Sequence, residues 1–365
     1  MKSFKYTIAL LVFLFITTAG CNEDEILRET PLDFASPENS FENINDFNSA
    51  VYAMYDNLRV MLSASEHRPL DMLYGTDIGY NGAQQLNVRF GSYLATLTPA
   101  STPAEYHWNQ YYRIVSSANI ILDRLEESNL TPEQQTKIEA EARLFRGISY
   151  RNLGYLYGGV PIELEAVSAP KTDYVRATRK ETYQQAVNDL EFAAQNLPGI
   201  TEVADGQVSD LAAYHLLAET YVALERWNDA IAAATVVIDD PNTALMTERF
   251  GSRQGELGDV YWDLFRRGNQ NRGSGNTEGI WVFQQETDVL GGELLSGSRR
   301  GAQLERDHAP RPWSFSVTDP SGVAPFLPLG VSDYTGGRGI GRLRGTDHFN
   351  YGIWQGSNWD DMRNS

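Results

Sequence analysis

The sequence predicts a mainly α-helical fold, and three observations support this prediction. Apolar residues recur every three or four positions over several segments, which is the spacing of one buried helical face. Two stretches, Thr131–Gln134 and Thr178–Glu181, have the pattern of a helix capping box. A single run, Ile280–Phe283, has the composition of a strand. We therefore expect a scaffold of paired helices with long loops between some of them.

The first twenty residues predict an export signal. Lys2 and Lys5 precede an apolar run that is shorter than the about 20 residues needed to span a bilayer. The run ends in Thr18-Ala19-Gly20-Cys21, which resembles a bacterial lipobox except that Thr18 replaces the usual Leu. We expect residues 1–20 to be removed and Cys21, the one cysteine of the chain, to carry lipid. The alternative is an ordinary signal peptide followed by a free cysteine.

The segment that follows Cys21 predicts an extended tether. Residues 21–40 are polar and contain Pro31 and Pro37. Their first residues, Asn22–Glu25, resemble the acidic motif that directs lipoproteins to the cell surface in the Bacteroidetes.

Residues 41–240 carry the helical signal. A first helix begins near Ile44, and residues 63–103 follow as a long aromatic-rich loop. Helices are then expected from about Glu105, after Thr131, after Thr178, and near Ser209. The inward positions that we predict are Phe47, Val51, Tyr55, Leu58, Ile114, Ala118, Ile121, Leu122, Leu125, Ile138, Ala142, Phe145, Ile148, Tyr183, Val187, Leu190, Ala194, Leu197, Tyr214, Ala218, Tyr221 and Leu224.

A last predicted helix follows the tight turn at Glu225-Arg226. Its inward positions are expected to be Trp227, Ala230, Ala234 and Ile238. The spacing from Ala218 to Ala230 is similar to the join between adjacent tetratricopeptide repeats, although the repeat is degenerate. After Pro241, glycine and arginine become more frequent and the helical periodicity fades, so residues 241–365 are predicted to form a second, loop-rich region.

Composition restricts the possible function classes. The chain of 365 residues has 48 acidic and 30 basic residues, a formal net charge of −18. Nucleic acid binding depends on clustered basic residues, so this balance argues against a nucleic acid partner. The 19 Tyr and 7 Trp fit stacking on sugar rings. The five histidines show no metal-ligand spacing, and no cofactor is expected; His215, within a helix, is predicted to be a core residue.

Several segments, taken in order, resemble the SusD/RagB family of Bacteroidetes surface lipoproteins. The resemblance runs from Cys21 to about Gln285. Its motifs are the helix at Phe41–Tyr55, Trp108-x-x-Tyr111-Tyr112-x-Ile114 leading to Ala118-Asn119, Glu139–Tyr150, Tyr157–Pro161, Asp189-Leu190, Leu197-Pro198 and Asn276-Thr277-Glu278. Family members are longer and have a further C-terminal helical segment, so residues 241–365 are expected to be the incomplete start of the family's C-terminal region.

The resemblance implies a SusD-like helical scaffold whose long loops present a ligand. It implies a non-catalytic lipoprotein, anchored in the outer membrane and facing outward, that binds an oligosaccharide or polysaccharide and passes it to a SusC-like TonB-dependent transporter. The residues expected to bind glycan are Tyr74 and Tyr80 by stacking, Asn81 and Arg89 by hydrogen bonds to hydroxyls, and Trp313 in a proline-flanked loop. The same aromatic residues could instead anchor their loops on the scaffold.

Two other function classes stay open from the sequence. A helical-repeat scaffold could bind protein without any affinity for glycan. A surface glycoside hydrolase would need a pair of carboxylates beside the scissile bond, and no spacing among the 48 acids identifies such a pair.

The glycine-rich stretch Gly339–Gly345 has the wrong spacing for a phosphate loop and is predicted to be a flexible loop. Trp108, Trp227 and Trp281 stand in periodic contexts and are predicted to pack in the core.

Overall fold

A computed structural model gives the fold of residues 40–64, 73–74, 76–82, 98, 102–286, 320–322, 339 and 341–355, to which all structural statements refer. In these ranges, six helices of at least twelve residues form a scaffold, which confirms the mainly helical prediction. They are α1 Ile44–Arg59, α2 Thr102–Glu126, α3 Pro132–Tyr157, α4 Arg179–Asn196, α5 Asp210–Ala223 and α6 Trp227–Ile238.

The remaining elements are short. They are a π-helical turn Val60–Ala64, strand β1 Gly79–Asn81, helix α7 Val260–Leu264, a 3-10 turn Arg272–Ser274, strand β2 Leu343–Gly345 and a second π-helical turn His348–Gly352. None of the helices that the structure describes has both the length and the apolarity that crossing a membrane requires.

Both predicted capping boxes are present. The Thr131 hydroxyl accepts from the Gln134 amide at 3.3 Å, and the Gln134 side chain accepts from the Thr131 amide at 3.0 Å. Thr178 and Glu181 make the same reciprocal bonds at 3.2 and 2.8 Å. These bonds satisfy amides that have no partner inside the helix, and so they fix where α3 and α4 begin.

Helix α3 is the centre of the scaffold. It packs against α1, α2 and α4, while α4 packs on α5 and α5 on α6. Because neighbours surround α3, its buried residues are not confined to one narrow stripe. The largest side chains that are fully buried in this core are Phe47, Met54, Leu58, Met61, Ile114, Ile121, Ile138, Leu144, Phe145, Tyr150 and Leu153.

Residues 158–178 form a strap between α3 and α4. Gly158 caps α3 with φ at +76°, a conformation that favours glycine. A β-carbon on Gly159 would lie 1.8 Å from the Ala177 carbonyl oxygen, so the two limbs of the strap approach at a distance that only glycine permits. The limbs are joined by a bridge between Pro161 and Arg176. The strap is therefore closed at its base.

Three sequence predictions about the scaffold are wrong. Trp227 is 58 % and Ile238 73 % exposed, because α6 turns Ala230 and Ala233 toward the scaffold instead. The His215 side chain is 54 % exposed on the outer face of α5. The run Ile280–Phe283 forms no strand: the Trp281 ring lies 6.2 Å from the rings of Tyr55 and Phe145, and its indole N–H donates to the Gly206 carbonyl. Its apolar residues cover helices instead of joining a sheet.

Candidate functional site

A two-stranded sheet brings together segments that are far apart in sequence. Strands β1 and β2 pair antiparallel, with Tyr80 opposite Arg344 and Asn81 opposite Leu343. The pairing continues past the strands, since the Gly82 amide donates to the Arg342 carbonyl at 2.6 Å. The prediction of a flexible loop over Gly339–Gly345 is therefore wrong for its last three residues, which form β2.

Glycines and threonines allow this close pairing. The side chain of Arg344 lies against Gly82, where a β-carbon would be 2.4 Å from the arginine Cγ. On the other side, the Thr346 amide donates to the Ile78 carbonyl at 3.1 Å, and its hydroxyl donates to the Asp77 carbonyl. These contacts fix the register of the two short strands.

The register places an aromatic ring beside a cation. Side chains directly opposite each other in a sheet share one face, and both Tyr80 and Arg344 are exposed, Tyr80 to 44 %. A tyrosine ring offers a flat apolar surface, and a guanidinium offers several hydrogen-bond donors in one plane. The pair can therefore hold a ligand that has both apolar C–H faces and hydroxyl groups.

More aromatic residues follow β2 directly. Phe349 is 40 % and Tyr351 64 % exposed on the π-helical turn, and the Trp354 ring centroid lies 6.3 Å from that of Phe349. The turn is joined to the sheet, since the Phe349 amide donates to the Thr346 hydroxyl at 3.1 Å. The Phe349 ring lies against the β-carbon position of Gly345, on the opposite face of the sheet from Tyr80 and Arg344. We therefore call only the two exposed residues Tyr80 and Arg344 the Tyr80 patch.

The other residues that were predicted to bind glycan are either buried or outside the described residues. Tyr74 is 4 % and Asn81 6 % exposed, so neither offers free surface to a ligand in this conformation, against the expectation of direct contact. For Asn81 the reason is strand alternation, which turns its side chain away from the face of Tyr80. Cys21, Arg89 and Trp313 lie outside the described residues, and their proposed roles stay predictions.

Sequence reasoning missed Arg344 of the patch and the aromatic turn that follows β2, with Phe349 and Tyr351. A three-residue strand is too short for a period of two to be visible, and its partner lies more than 250 residues away in the chain. The available signal was the density of aromatic residues after Gly345, at Phe349, Tyr351 and Trp354.

The structure provides no metal-based alternative in its described ranges. No group of three or more His, Cys, Asp or Glu side chains there is arranged to hold a metal ion.

Of the tryptophans predicted to pack in the core, Trp108 and Trp281 are half-buried against it. Both are therefore largely scaffold residues.

Comparison with known proteins identifies relatives. A family model described as "SusD-like_3: Starch-binding associating with outer membrane" matches residues 32–222, more than half of the chain. "SusD-like protein P25" of Formosa agariphila is 25 % identical over 295 residues, covering 78 % of this chain and 52 % of that protein. "SusD-like protein P2" of the same organism is 24 % identical, covering 66 % and 47 %. The chain thus spans about half the length of these curated relatives.

Solved structures share the fold. A SusD homologue from Bacteroides thetaiotaomicron matches with a TM-score of 0.62 at 18 % identity, covering 91 % of this chain and 58 % of that one. A structure described as "Laminarin binding SusD-like protein" matches with a TM-score of 0.60 at 21 % identity, covering 74 % and 58 %. At these identities the likeness concerns the fold, and it confirms the predicted SusD-like helical scaffold.

Proposed function

Because the chain belongs to the SusD-like family, we propose that it is a cell-surface lipoprotein that binds an oligosaccharide without altering it and delivers it to a SusC-like TonB-dependent transporter. The observation that carries this proposal is the family match over residues 32–222. The family's description combines starch binding with outer-membrane association. Delivery, the lipid anchor and the absence of catalysis are inferences beyond that description.

The Tyr80 patch is the proposed point of contact with glycan. The C–H face of a pyranose ring can stack on the exposed Tyr80 ring, while the Arg344 guanidinium donates to sugar hydroxyls. Stacking and hydrogen bonding of this kind suit capture of a sugar. Arg89 and Trp313 remain proposed contributors.

Retardation in native gels that contain laminarin or starch tests this contact. Tyr80→Ala should weaken retardation, because loss of one stacking ring costs about 1–3 kcal/mol by analogy with base stacking on aromatic residues. Tyr155→Ala is the matched control, since Tyr155 is 68 % exposed on α3 and belongs to no proposed site. Equal retardation of wild type and Tyr80→Ala in every gel that retards wild type would remove Tyr80 from the site.

The anchor and the transporter are tested together. Purification from outer membranes in mild detergent should yield a chain that begins at Cys21 and has a lipid-modified mass, together with a TonB-dependent barrel. Cys21→Ser should release the protein from the membrane. An unmodified chain that is recovered without a barrel would contradict both the anchor and the partner.

A second candidate function is a protein-interaction scaffold without glycan affinity. The outer face of α6 favours it, since Trp227, Ile231 and Ile238 are 58 %, 65 % and 73 % exposed along one side of the helix. Contiguous exposed apolar residues mark interaction surfaces. The two candidates are separated by glycan affinity, which the scaffold alternative lacks. Release of reducing sugar from the same glycans would instead favour the hydrolase alternative.

A further inference from the structure

A groove between α2 and the strap shares no residue with the Tyr80 patch. Its volume is about 490 Å³, within the range of small-molecule sites. One wall is a single face of α2, where Trp108, Tyr112 and Ser116 follow each other at four-residue spacing. The other wall is the strap, from Pro161 to Tyr174. Nothing in the proposed function uses this groove.

Hydrogen bonds hold the strap at a fixed distance from α2. The Tyr112 hydroxyl donates to the Pro161 carbonyl at 2.6 Å. The buried side-chain amide of Asn119 donates to the carbonyls of Glu163 and Glu165 at 3.0 and 3.1 Å. The Glu163 backbone is also joined to the Tyr150 hydroxyl at 2.7 Å. The groove is therefore formed before any ligand arrives, which lowers the entropy cost of binding.

Aromatic rings line both walls. The Trp108 and Tyr112 rings lie 4.9 Å apart on α2, and Tyr157 packs edge-on against Trp108 at 5.1 Å and supports it. Across the groove, Tyr174 is 49 % exposed and Val167 is 52 % exposed on the strap. The groove thus offers flat apolar surface on both sides, as a ligand with two apolar faces requires.

The charged side chains that line the groove are acidic. They are Glu163 and Glu165, and no lysine or arginine is among the lining residues. The nearby Lys171 ammonium lies 2.7 Å from the Glu163 carboxylate and 5.2 Å from the centroid of the Tyr174 ring. Together with Glu163 and the exposed Glu165 it leaves the groove with a net negative charge, which Glu165 supplies. Carboxylates accept hydrogen bonds from hydroxyl groups and repel anions.

We propose that this groove is a second glycan site that takes neutral sugar rings and rejects acidic ones such as uronates. A ring would lie between the α2 aromatics and Tyr174, with its hydroxyls donating to Glu165. This inference rests on the proposed function and deepens it, because it names the class of glycan. It also gives the chain two separate contacts, and a polymer long enough to reach both would bind more tightly than a short one.

Calorimetric titration of the full chain, purified in detergent, tests the groove. The probes are maltohexaose, cellohexaose, laminarihexaose and hexagalacturonic acid. At least one neutral hexasaccharide should bind, and hexagalacturonic acid should not slow amide exchange in residues 161–174 of the wild-type chain. Tyr174→Ala should weaken neutral binding about tenfold, whereas the control Tyr155→Ala should not. Trp108 is not mutated because it packs against the core, and its loss would compromise folding.

Charge reversal provides the sharper test. Glu165→Arg should weaken neutral binding and create binding of hexagalacturonic acid. Glu127→Arg, at an acid whose side chain is 79 % exposed beyond the end of α2, should create none. Hydrogen exchange should show that the neutral sugar slows amide exchange in residues 161–174.

The outcomes separate this inference from the proposed function. If the folded wild-type chain binds none of the sugars, both the groove proposal and the proposed function are overturned. Neutral binding that is lost in Tyr80→Ala but unchanged in Tyr174→Ala and Glu165→Arg would overturn the groove alone. Weakening by Tyr174→Ala together with the gain of acidic sugar binding in Glu165→Arg supports the groove, even if Tyr80→Ala has no effect.

Discussion

Arg146 and Asp189 form a buried ion pair at the heart of the scaffold. Two guanidinium nitrogens of Arg146 donate to the two carboxylate oxygens of Asp189 at 2.7 and 2.8 Å, and a third donates to Asn119 at 2.8 Å. Asp189 is fully buried and also accepts from Gln185 at 3.1 Å. The pair joins α3 to α4, and through Asn119 it also supports the strap that forms the groove.

Removing one charge of this pair should strongly destabilise the fold. Asp189→Asn would leave the Arg146 cation buried without a counter-ion, which costs about 3–5 kcal/mol of unfolding free energy. Glu219→Gln is the control, because its partner Arg151 and Glu219 itself are partly exposed and such pairs contribute at most about 1 kcal/mol. Urea unfolding measures both. A loss in Asp189→Asn no larger than in Glu219→Gln would contradict the assigned role of the pair.

Glu141 makes stability depend on pH. Its side chain is 5 % exposed, and burial raises the pKa of the Glu141 carboxyl, although Lys137 and the Tyr55 hydroxyl act in the opposite direction. In the unfolded chain the pKa of a glutamate carboxyl is about 4.3. Above that pH the folded chain retains a proton that the unfolded chain has lost, so the unfolding free energy falls as pH rises toward the folded pKa.

Glu141→Gln should remove this dependence. Relative to wild type, the variant's unfolding free energy should rise between about pH 4 and about pH 7. Glu181→Gln should show the opposite trend, because the backbone amide and hydroxyl of Thr178 lower the pKa of the Glu181 carboxyl, and its stabilising effect is present above about 4.3 and lost on acidification. Urea unfolding at about pH 4 and about pH 7 checks the sign for Glu141→Gln, and urea unfolding at about pH 5 and about pH 2.5 checks the sign for Glu181→Gln. Parallel trends for the two variants would contradict the account.

At the scale of elements, the capping boxes set the helix starts. Thr178→Ala should lower the unfolding free energy by about 1 kcal/mol, because the Glu181 amide loses its acceptor at the start of α4. Thr235→Ala is the control within α6, where the hydroxyl bonds back to the Ile231 carbonyl and caps nothing. That variant should be neutral or slightly stabilised, since alanine favours helix. Equal losses in both variants would contradict the capping role.

The helices were predictable because their signals are local. The spacing around Ile114 and Phe145 and the Thr178–Glu181 box are contained in one or two turns of chain, and the structure follows them. Trp227 and Ile238 show the limit of this reasoning. Their apolar spacing is real, but burial also requires a neighbouring element, and the described structure has none over that face of α6.

The sheet and the groove were not predictable because they depend on contacts across the chain. Tyr80 was a candidate because it lies in an aromatic-rich segment. Its partner Arg344 comes from a strand pairing that no local pattern reveals. The only local signals in the strap, Gly158-Gly159 and Pro161, indicate the end of a helix and not the path of the chain that follows. Closure of the strap on α2 through Tyr112 and Asn119 appears only in the folded chain.

The whole molecule is acidic, with a net charge of −18. If its ligand is a neutral glycan, no counter-ions are released on binding and no long-range attraction is screened. The dissociation constant for a neutral hexasaccharide should therefore change less than about twofold between about 0.05 and 0.5 M salt. Calorimetry at both salt concentrations measures this. A dependence of tenfold or more would indicate a charged ligand site.

The central claim is that this chain captures a glycan and leaves it intact. The most direct measurement is titration of neutral hexasaccharides into the full chain by calorimetry, followed by chromatography of the recovered sugar. We predict a saturable heat of binding for at least one hexasaccharide and complete recovery of that sugar at its original length. A folded chain that gives no heat with any of them, or a sugar recovered as shorter fragments, would contradict the claim.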